Sequence, residues 1–337
     1  MDKLTEPLIL VTGANGLLGS AIVNYLLVNG HRVRGLRRSG SDMQLLNGVE
    51  AKVEWAEGDV LDVLALEKAF EGVTYVIHTA AIVSFIPKDQ KLMYEINVQG
   101  TANVVNLALE VGVKKMAFVS SVAALGRPDP RMIDASKPTV IDENQKWEES
   151  PLNSNYGKSK YLAELEVWRG VAEGLSAVVV NPSMVLGEGD WTRSSTQLFK
   201  YAFDENKFYT EGLINYVDVL DVAEATVKLL VSEVKNERFV LSAGSTTYRE
   251  LFTKIAEGFG KRPPSKLVSP FLTEIIWRVE ALRSWLTGSK PLITKETAKT
   301  ARTKFVYNGE KIQNALGFTY RPLDETVVRV CKTLKKS

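Results

Sequence analysis

Residues 8–19 read LILVTGANGLLG, and the rest of the chain is organised around them. The first four form a short apolar run of strand character, and apolar residues recur at helical spacing in the segment that the glycines open. A strand, a glycine-rich turn and a helix in this order form a cradle for a dinucleotide, because the free N–H groups at the helix start face the phosphate charge. We therefore predict nucleotide binding here; the alternative is an ordinary glycine-rich turn without a ligand.

The three glycines of this stretch have different predicted roles. Gly13 allows a tight turn, Gly16 lets the backbone approach a pyrophosphate without a Cβ in the way, and Gly19 lets the helix pack closely on the strand. The residues predicted to bind the pyrophosphate are Gly13, Asn15, Gly16, Leu17, Leu18 and Gly19.

The composition narrows the function classes. The 337 residues exceed one typical domain, which favours one large domain with an appendage or two domains. A net charge of +2 gives no argument for a nucleic-acid partner. The single cysteine, Cys331, excludes an intramolecular disulfide, and with only two histidines we expect no metal centre.

The sequence contains no pattern typical of a membrane protein. Its first seven residues are polar and acidic and lead directly into the first apolar run, which leaves no room for a signal peptide. No uncharged apolar run reaches about 18 residues. We therefore expect no membrane span and a cytoplasmic location.

Strands and helices alternate from residue 8 to residue 181. Further runs of strand character are predicted at 31–36, 53–57, 73–78, 116–119 and 177–180. A helix is expected at 93–111, an irregular excursion at 127–155, a helix at 156–172, a helix at 216–231 and a strand at 238–242. This alternation predicts an α/β fold of Rossmann type, a doubly wound parallel sheet with right-handed crossovers.

The alternation of strands and helices ends after residue 182, which indicates a second structural unit. We predict a nucleotide-binding domain over 1–182 with about 215–245, and a smaller, mainly helical substrate lobe over 183–214 and 246–337. Residues 267–287 are apolar on one face; a core-facing helix is favoured there over a membrane-surface or partner helix.

The end of the second predicted strand bears on the choice of nucleotide. Dinucleotide folds place an acidic residue there to bind the ribose 2′-hydroxyl. This chain has Arg37 instead, followed by Arg38 and Ser39. A guanidinium fork suits a 2′-phosphate, so NADP(H) is predicted in preference to NAD(H). The alternative is a turn with two solvated arginines.

The ends of the next two strands provide further candidates. Asp59, followed by Val60, is placed to accept from the adenine amino group, or else to cap a helix that starts at Leu61. His78 is predicted to be structural. The small residues after it, which would let a cofactor lie close, are Thr79, Ala80 and Ala81.

A tyrosine and a lysine four residues apart carry the predicted chemistry. Tyr156 and Lys160 lie on one helix face, where an ammonium group would favour the phenolate and lower the tyrosine pKa. Ser121 ends a parallel strand, at the edge where ligands of open α/β sheets bind. These three side chains can therefore converge on one oxygen; the alternative is an exposed helix face.

Together these residues resemble the extended short-chain dehydrogenase/reductase family, within the NAD-dependent epimerase/dehydratase superfamily. The resemblance rests on the TGxxGxxG motif, Asp59, Asn97, Ser121 and the YxxxK pair, and it extends over most of the chain. Further segments that match family signatures are 97–101, Asn181-Pro182, 216–223 and 316–323.

The resemblance implies roles for the site residues. Tyr156 would donate the proton to a carbonyl oxygen as hydride arrives from nicotinamide C4, Lys160 would lower the pKa of Tyr156 and bind the ribose, and Ser121 would orient the substrate oxygen. Asn97 would shape its helix and hold a water in the proton path. Backbone near Pro182 would contact the carboxamide, and Val119 and Met184 complete the implied cofactor site.

Within the family, Arg37 and the long insert between Ser121 and Tyr156 resemble the dihydroflavonol reductase and cinnamoyl-CoA reductase branch, and residues 291–298 resemble 3β-hydroxysteroid dehydrogenase-like members. We therefore predict an NADPH-dependent reductase of a small-molecule aldehyde or ketone. The alternatives are a nucleotide-sugar epimerase or dehydratase, for which Arg193 is one isolated basic candidate, a 3β-hydroxysteroid dehydrogenase-like enzyme, and a non-catalytic NADP-binding sensor.

Family members often form homodimers through two helices, which here correspond to about 101–111 and 156–172. Their apolar residues could serve a dimer or the monomer's own core.

Overall fold

The structure is a computed structural model that describes residues 6–129, 131, 133, 137–191, 195–269, 278 and 304–336. In chain order the strands are β1 (Leu8–Thr12), β2 (Arg32–Arg37), β3 (Glu54–Glu57), β4 (Tyr75–His78), β5 (Lys115–Val119), β6 (Thr139–Ile141), β7 (Ala177–Pro182), β8 (Met184–Leu186), β9 (Phe208–Tyr209), β10 (Leu213–Asp218), β11 (Glu237–Leu241), β12 (Gly244–Thr247), β13 (Lys266–Leu267) and β14 (Phe305–Tyr307). The α-helices are α1 (Leu17–Val28), α2 (Val63–Phe70), α3 (Gln90–Tyr94), α4 (Gly100–Glu110), α5 (Asn155–Ala172), α6 (Thr196–Phe203), α7 (Val219–Val231), α8 (Tyr248–Phe259), α9 (Glu310–Leu316) and α10 (Leu323–Leu334).

A seven-stranded parallel sheet forms the centre of the fold. Its strand order is β11-β7-β5-β4-β1-β2-β3, so the chain runs outward from β1 in one direction and then returns to build the other half. The central strands β1, β4 and β5 are buried along their whole length, as expected for a parallel sheet covered on both faces. The predicted Rossmann-type fold is confirmed.

Helices cover both faces of this sheet. On one face, Ile22 of α1 and Val222 of α7 pack in an apolar cluster with Val11 and Val180 of the strands. On the other, residues of α2, α4 and α5 pack against Leu10 and Phe118. Because β1, β4, β5 and β7 pair in parallel, their carboxyl ends lie at one edge of the sheet, where ligands of such sheets bind.

A smaller unit lies beside the sheet. Strands β8, β10 and β12 form a three-stranded sheet, and α6, α8 and α10 bury a common apolar core that includes Phe199, Leu251 and Val327. The division into a nucleotide-binding domain and a substrate lobe stays a prediction. Nearly all of the helix predicted at 267–287, together with Arg193 and residues 291–298, lies outside the described residues.

Several predicted elements differ from the structure. The helix predicted at 216–231 begins only at Val219, because Tyr216–Asp218 extend β10 and the Asp218 carboxylate caps the helix by accepting from Leu220 N at 2.8 Å. The helix predicted at 93–111 is divided by a π-helical turn at Glu95–Gln99. The irregular segment 127–155 contains β6, which pairs in parallel with β14.

The two helices considered for dimerisation contribute to the chain's own core. Val104, Val105 and Ala108 of α4 are fully buried within the monomer, whereas Leu165 of α5 is exposed. A homodimer through these helices stays a prediction. Among the described helices, none is long and apolar enough to cross a membrane.

Candidate active site

The glycine-rich turn forms the predicted cradle. Gly13 has φ +66°, and a Cβ on it would lie 2.9 Å from the backbone of Ala80. A Cβ on Gly19 would overlap the carbonyl group of Gly13, so the glycine at this position allows α1 to pack closely on β1. A Cβ on Gly16 would meet only the Gly13 carbonyl oxygen, at 3.3 Å, so its other side is open.

The start of α1 is suited to a phosphate. Gly16 is the N-cap residue and offers no side chain to the first turn, so the N–H groups there are available to a ligand. Leu17 and Leu18 open the helix, and the side chain of Asn15 donates to the Asp42 carbonyl at 3.2 Å. This open, glycine-lined cradle fits the pyrophosphate of a dinucleotide.

Arg37 ends β2 and lies against an aromatic ring. Its guanidinium carbon is 5.3 Å from the ring centroid of Trp55, and its Nε is buried without a hydrogen-bond partner in the described part of the chain. A buried donor without a partner is costly, so this atom is suited to a ligand oxygen. Arg38 and Ser39 are exposed beside it.

Asp59 follows β3 at the same edge of the sheet. The Gly58 N–H donates to the Arg37 carbonyl at 2.9 Å, which places Asp59 next to Arg37. Asp59 accepts from Leu61 N at 3.0 Å, but α2 begins at Val63 and its cap is Asp62. The alternative that Asp59 caps a helix starting at Leu61 is therefore wrong, whereas its contact with adenine stays a prediction. Val60 is buried against Gly100.

His78 is a buried structural group. Its ring nitrogens face the hydroxyls of Thr12 at 2.6 Å and Thr101 at 3.0 Å, and burial lowers its pKa to about 3. It is therefore neutral at physiological pH and has no free nitrogen for catalysis. Thr79 donates to the Thr12 carbonyl at 2.7 Å, and with Ala80 and Ala81 it leads away from the end of β4 beside Gly13.

The structure brings Tyr156 and Ser121 together. The Ser154 hydroxyl caps α5 by accepting from Gly157 N at 2.9 Å, and a Cβ on Gly157 would lie 2.7 Å from the Ala123 carbonyl oxygen. This close approach places Tyr156 beside the turn that follows β5, where its hydroxyl interacts with the Ser121 side chain. Burial raises the pKa of Tyr156 to about 12, and the interaction with Ser121 opposes that rise.

Lys160 is buried one turn further along α5. Its Nζ donates to the Val119 carbonyl at 2.8 Å and lies 4.4 Å from the centroid of the Phe118 ring. Burial lowers its pKa to about 7. The expected lowering of the Tyr156 pKa is not present in this arrangement, because burial dominates at Tyr156 and the lysine ammonium is turned toward the carbonyl end of β5.

Asn97 fixes the shape of its helix. Its amide oxygen accepts from Ile82 N at 2.8 Å, and its amide nitrogen donates to Ile82 O and to the Ser159 hydroxyl, each at 3.0 Å. The residue thereby ties the π-helical turn to the segment after β4 and to α5. The predicted role in helix shape thus has a structural basis, whereas the water in the proton path stays a prediction.

The end of β7 provides further polar atoms. Asn181 Nδ2 donates to the Ser121 carbonyl at 3.0 Å, and Pro182 follows it, buried. Asn181 Oδ1 and Ser183 Oγ are buried and find no partner among the described residues. Such orphaned atoms beside Pro182 fit a carboxamide. Met184, also predicted to contact the cofactor, is 40% exposed.

Sequence reasoning missed two features of this site. Trp55, which supports Arg37, is found only once β2 and β3 are paired. Glu164 is buried at the heart of a polar network and forms an ion pair with Arg238 of β11 at 3.2 Å. Its position, four residues after Lys160, was the available signal.

Comparisons with known proteins agree with this geometry. The model of the NAD-dependent epimerase/dehydratase family matches residues 9–242. Cinnamoyl-CoA reductase 1 of Oryza sativa subsp. japonica is 33% identical over 272 residues, covering 77% of this chain and 78% of the relative. A putative dihydroflavonol 4-reductase of Synechocystis is 27% identical over 315 residues, covering 91% and 88%. The crystal structure of gox2253 superposes with a TM-score of 0.81 at 31% identity, covering 98% of both chains.

The fold and site define an NAD(P)-dependent enzyme of the short-chain dehydrogenase/reductase type. The chain belongs to the NAD-dependent epimerase/dehydratase family.

Proposed function

We propose that this protein is an NADPH-dependent reductase of an aldehyde or ketone. The observation that carries the proposal is the position of Tyr156 beside Ser121, with Lys160 one helical turn away, at the carboxyl end of β5. These three groups provide a proton donor, an orienting hydroxyl and a cation at the edge of the sheet where a nicotinamide ring would lie.

In this proposal each catalytic side chain has a separate role in carbonyl reduction. When bound, NADPH supplies the hydride. The Ser121 hydroxyl donates a hydrogen bond that orients the substrate oxygen, and Tyr156 gives its phenolic proton to that oxygen. With its pKa raised to about 12, Tyr156 carries this proton throughout the neutral range, so it can act as a general acid. Lys160 would bind the nicotinamide ribose and stabilise the phenolate that remains.

Other residues would hold the dinucleotide. The turn from Gly13 to Gly19 and the first turn of α1 would bind the pyrophosphate, Asp59 would face the adenine, and Pro182 with its neighbours would face the carboxamide. Arg37 supports the preference for NADP(H), since its buried Nε lacks a partner among the described residues and a 2′-phosphate offers oxygens that match a guanidinium.

The relatives favour a reductase over the alternatives. Cinnamoyl-CoA reductases and a putative dihydroflavonol reductase are named among them, and we extend the carbonyl-reducing class, without a particular substrate, to this chain. An epimerase or dehydratase and a 3β-hydroxysteroid dehydrogenase-like enzyme share the same catalytic groups and stay as alternatives. A sensor without turnover is disfavoured because both Tyr156 and Lys160 are present.

The test is NADPH consumption by the purified protein with a panel of aromatic and aliphatic aldehydes, ketones and hydroxyketones, with NADH run in parallel. Turnover that disappears in Tyr156→Phe supports the reductase. Tight NADPH binding without consumption of any compound contradicts it and favours an epimerase or a sensor. A homodimer and a cytoplasmic location also stay predictions, which size-exclusion chromatography with light scattering and cell fractionation would test.

A further inference from the structure

A buried carboxylate lies one helical turn beyond Lys160. Glu164 is only 2% exposed, and its position four residues after Lys160 puts both side chains on the same face of α5. Acidic side chains are almost never buried to this degree unless donors surround them. The role assigned to Tyr156, Ser121 and Lys160 does not account for this residue.

Four donors converge on the Glu164 carboxylate. Oε2 accepts from Ser120 Oγ at 2.9 Å and from Asn181 Nδ2 at 3.0 Å. Oε1 accepts from Arg238 Nη1 at 3.2 Å and from Trp168 Nε1 at 3.3 Å. Three of these donors come from β5, β7 and β11 or the residues that follow them, so one side chain of α5 ties the helix to three neighbouring strands.

The network reaches the catalytic groups through the backbone. Ser120 immediately precedes Ser121, and the same Asn181 nitrogen that bonds Glu164 also donates to the Ser121 carbonyl at 3.0 Å. Glu164 is therefore linked to both Ser120 and Ser121, the two residues that directly follow β5. Loss of the carboxylate would remove these ties and leave the Lys160 bond to the Val119 carbonyl between that end of the strand and α5.

The same carboxylate, one helical turn further along α5, opposes the lowering of the Lys160 pKa by burial. Among the described residues, His78 on β4, which is neutral, also interacts with Lys160, and Tyr156, which keeps its proton, lies one turn earlier on α5. Arg238 of β11 supplies the positive charge that pairs with Glu164 and donates through its other nitrogens to the backbone carbonyls of Glu143 and Gln145.

Resting on the reductase function proposed above, we infer that Glu164 is a positioning residue: it fixes the Ser121 end of β5 against α5 and favours the charged form of Lys160. Glu164 touches neither substrate nor cofactor in this role. It acts through Ser120, Asn181 and the electrostatic field at Lys160.

The first test measures the charge state of Lys160 directly. Protein labelled with ¹³C at lysine Cε is titrated by NMR, and the Lys160 signal is assigned by its loss in Lys160→Met. Because Glu164 opposes the effect of burial on Lys160, Glu164→Gln should move the Lys160 midpoint down by about one pH unit. Lys115, whose ammonium bonds the Leu229 and Ser232 carbonyls instead, serves as an internal reference and should not move.

The matched control is Glu166→Gln. Glu166 lies on the same helix, and its substitution removes the same charge. Its carboxylate, however, accepts from Arg169 near the surface. In this control the Lys160 midpoint should stay at the wild-type value. An unchanged midpoint in Glu164→Gln, or an equal shift in both variants, overturns the inference.

The second readout is the pH profile of carbonyl reduction. The pKa of Lys160 is lowered to about 7, so its charge is complete below that value and is lost as pH rises through it. A further lowering of the Lys160 pKa in Glu164→Gln moves the basic limb of the kcat/KM profile to lower pH. At pH 8, kcat/KM should therefore fall about tenfold relative to wild type. A wild-type protein without turnover refutes the proposed function, while the NMR titration still decides the role of Glu164.

A second variant covers the case in which Glu164→Gln does not fold. Arg238→Gln removes the cation that pairs with Glu164, which changes the charge or the screening of the carboxylate, so the Lys160 midpoint should move. An unchanged midpoint in Arg238→Gln contradicts the inference.

Discussion

Gly35 of β2 lies directly opposite Trp55 of β3, and the Trp55 ring occupies the space that a Cβ at position 35 would fill. The same ring supports the guanidinium of Arg37, two residues further along β2. Trp55 is in turn held by its own Nε1, which donates to the Glu50 carbonyl at 3.0 Å. Strand β2 and the edge strand β3 thus hold the Arg37 guanidinium against an aromatic ring at the carboxyl end of β2.

Trp55→Leu should weaken NADPH binding selectively. Loss of the cation–π contact frees the Arg37 guanidinium, and such contacts contribute about 0.5–1 kcal/mol at partly exposed sites, which corresponds to a two- to fivefold rise in the NADPH Kd. The NADH Kd should change little. Both are measured by isothermal titration calorimetry, with Trp147→Leu, which removes a ring stacked on Tyr161 instead, as the control. Equal losses for both coenzymes would remove Trp55 from this role.

Arg37→Asp should reverse the coenzyme preference. The substitution removes a charge-assisted hydrogen bond and adds repulsion against a 2′-phosphate, so the NADPH Kd should rise roughly a hundredfold. The NADH Kd should hold or improve, because a carboxylate accepts from the ribose 2′-hydroxyl. Arg38→Asp is the control, since it makes the same charge change at the adjacent exposed position. An equal effect of the two substitutions on NADPH would reject a specific contact by Arg37.

Gly16→Val should abolish binding of both coenzymes without unfolding the protein. Gly16 has φ −76° and ψ 171°, an extended conformation that valine adopts readily, and a Cβ there would meet only the Gly13 carbonyl oxygen. The added methyl groups therefore enter the space predicted for the pyrophosphate. Binding is measured by calorimetry and folding by thermal unfolding. Normal NADPH binding by a folded Gly16→Val protein would refute the cradle.

Gly19→Val is the structural contrast to that experiment. A Cβ at Gly19 would overlap the backbone of Gly13, so this variant should lower the midpoint of thermal unfolding as well as abolish binding. If Gly16→Val lowered the midpoint as much as Gly19→Val, its loss of binding could no longer be attributed to the coenzyme site.

The central sheet was predictable from the sequence because its inner strands β1, β4, β5 and β7 are short, mainly apolar runs that alternate with helices. The predicted β2 lies one residue too early at both ends, the predicted β4 starts two residues too early, and the predicted β7 ends two residues too early. Strands β6 and β14 were missed because each has only three residues, too few for a period, and because they pair only after the chain has returned from a distant segment.

In the candidate site, too, patterns local to one segment were predictable, whereas contacts between distant segments were not. The spacing of Tyr156 and Lys160 is local to one helix and was therefore visible, as was the glycine spacing of the first turn. The ion pair of Glu164 and Arg238 depends on β11 joining the sheet beside β7, and nothing local to either residue indicates it. The direction of the Tyr156 pKa also required the structure, because it depends on how deeply the folded chain buries the hydroxyl.

Tyr156→Phe should abolish carbonyl reduction while leaving the NADPH Kd nearly unchanged. Phenylalanine keeps the ring that meets Phe85 edge-on at 5.9 Å, so the packing at the start of α5 is retained and only the proton donor is lost. Removal of a positioned general acid lowers the rate by about 10²–10⁴-fold. The measurement is kcat/KM by NADPH absorbance together with the Kd by calorimetry. Tyr161→Phe removes a hydroxyl from the same helix at a ring that stacks on Trp147, and it should retain the wild-type rate. Activity that survives in Tyr156→Phe would show that another group donates the proton, whereas equal losses in the two variants would indicate damage to α5 rather than loss of the acid.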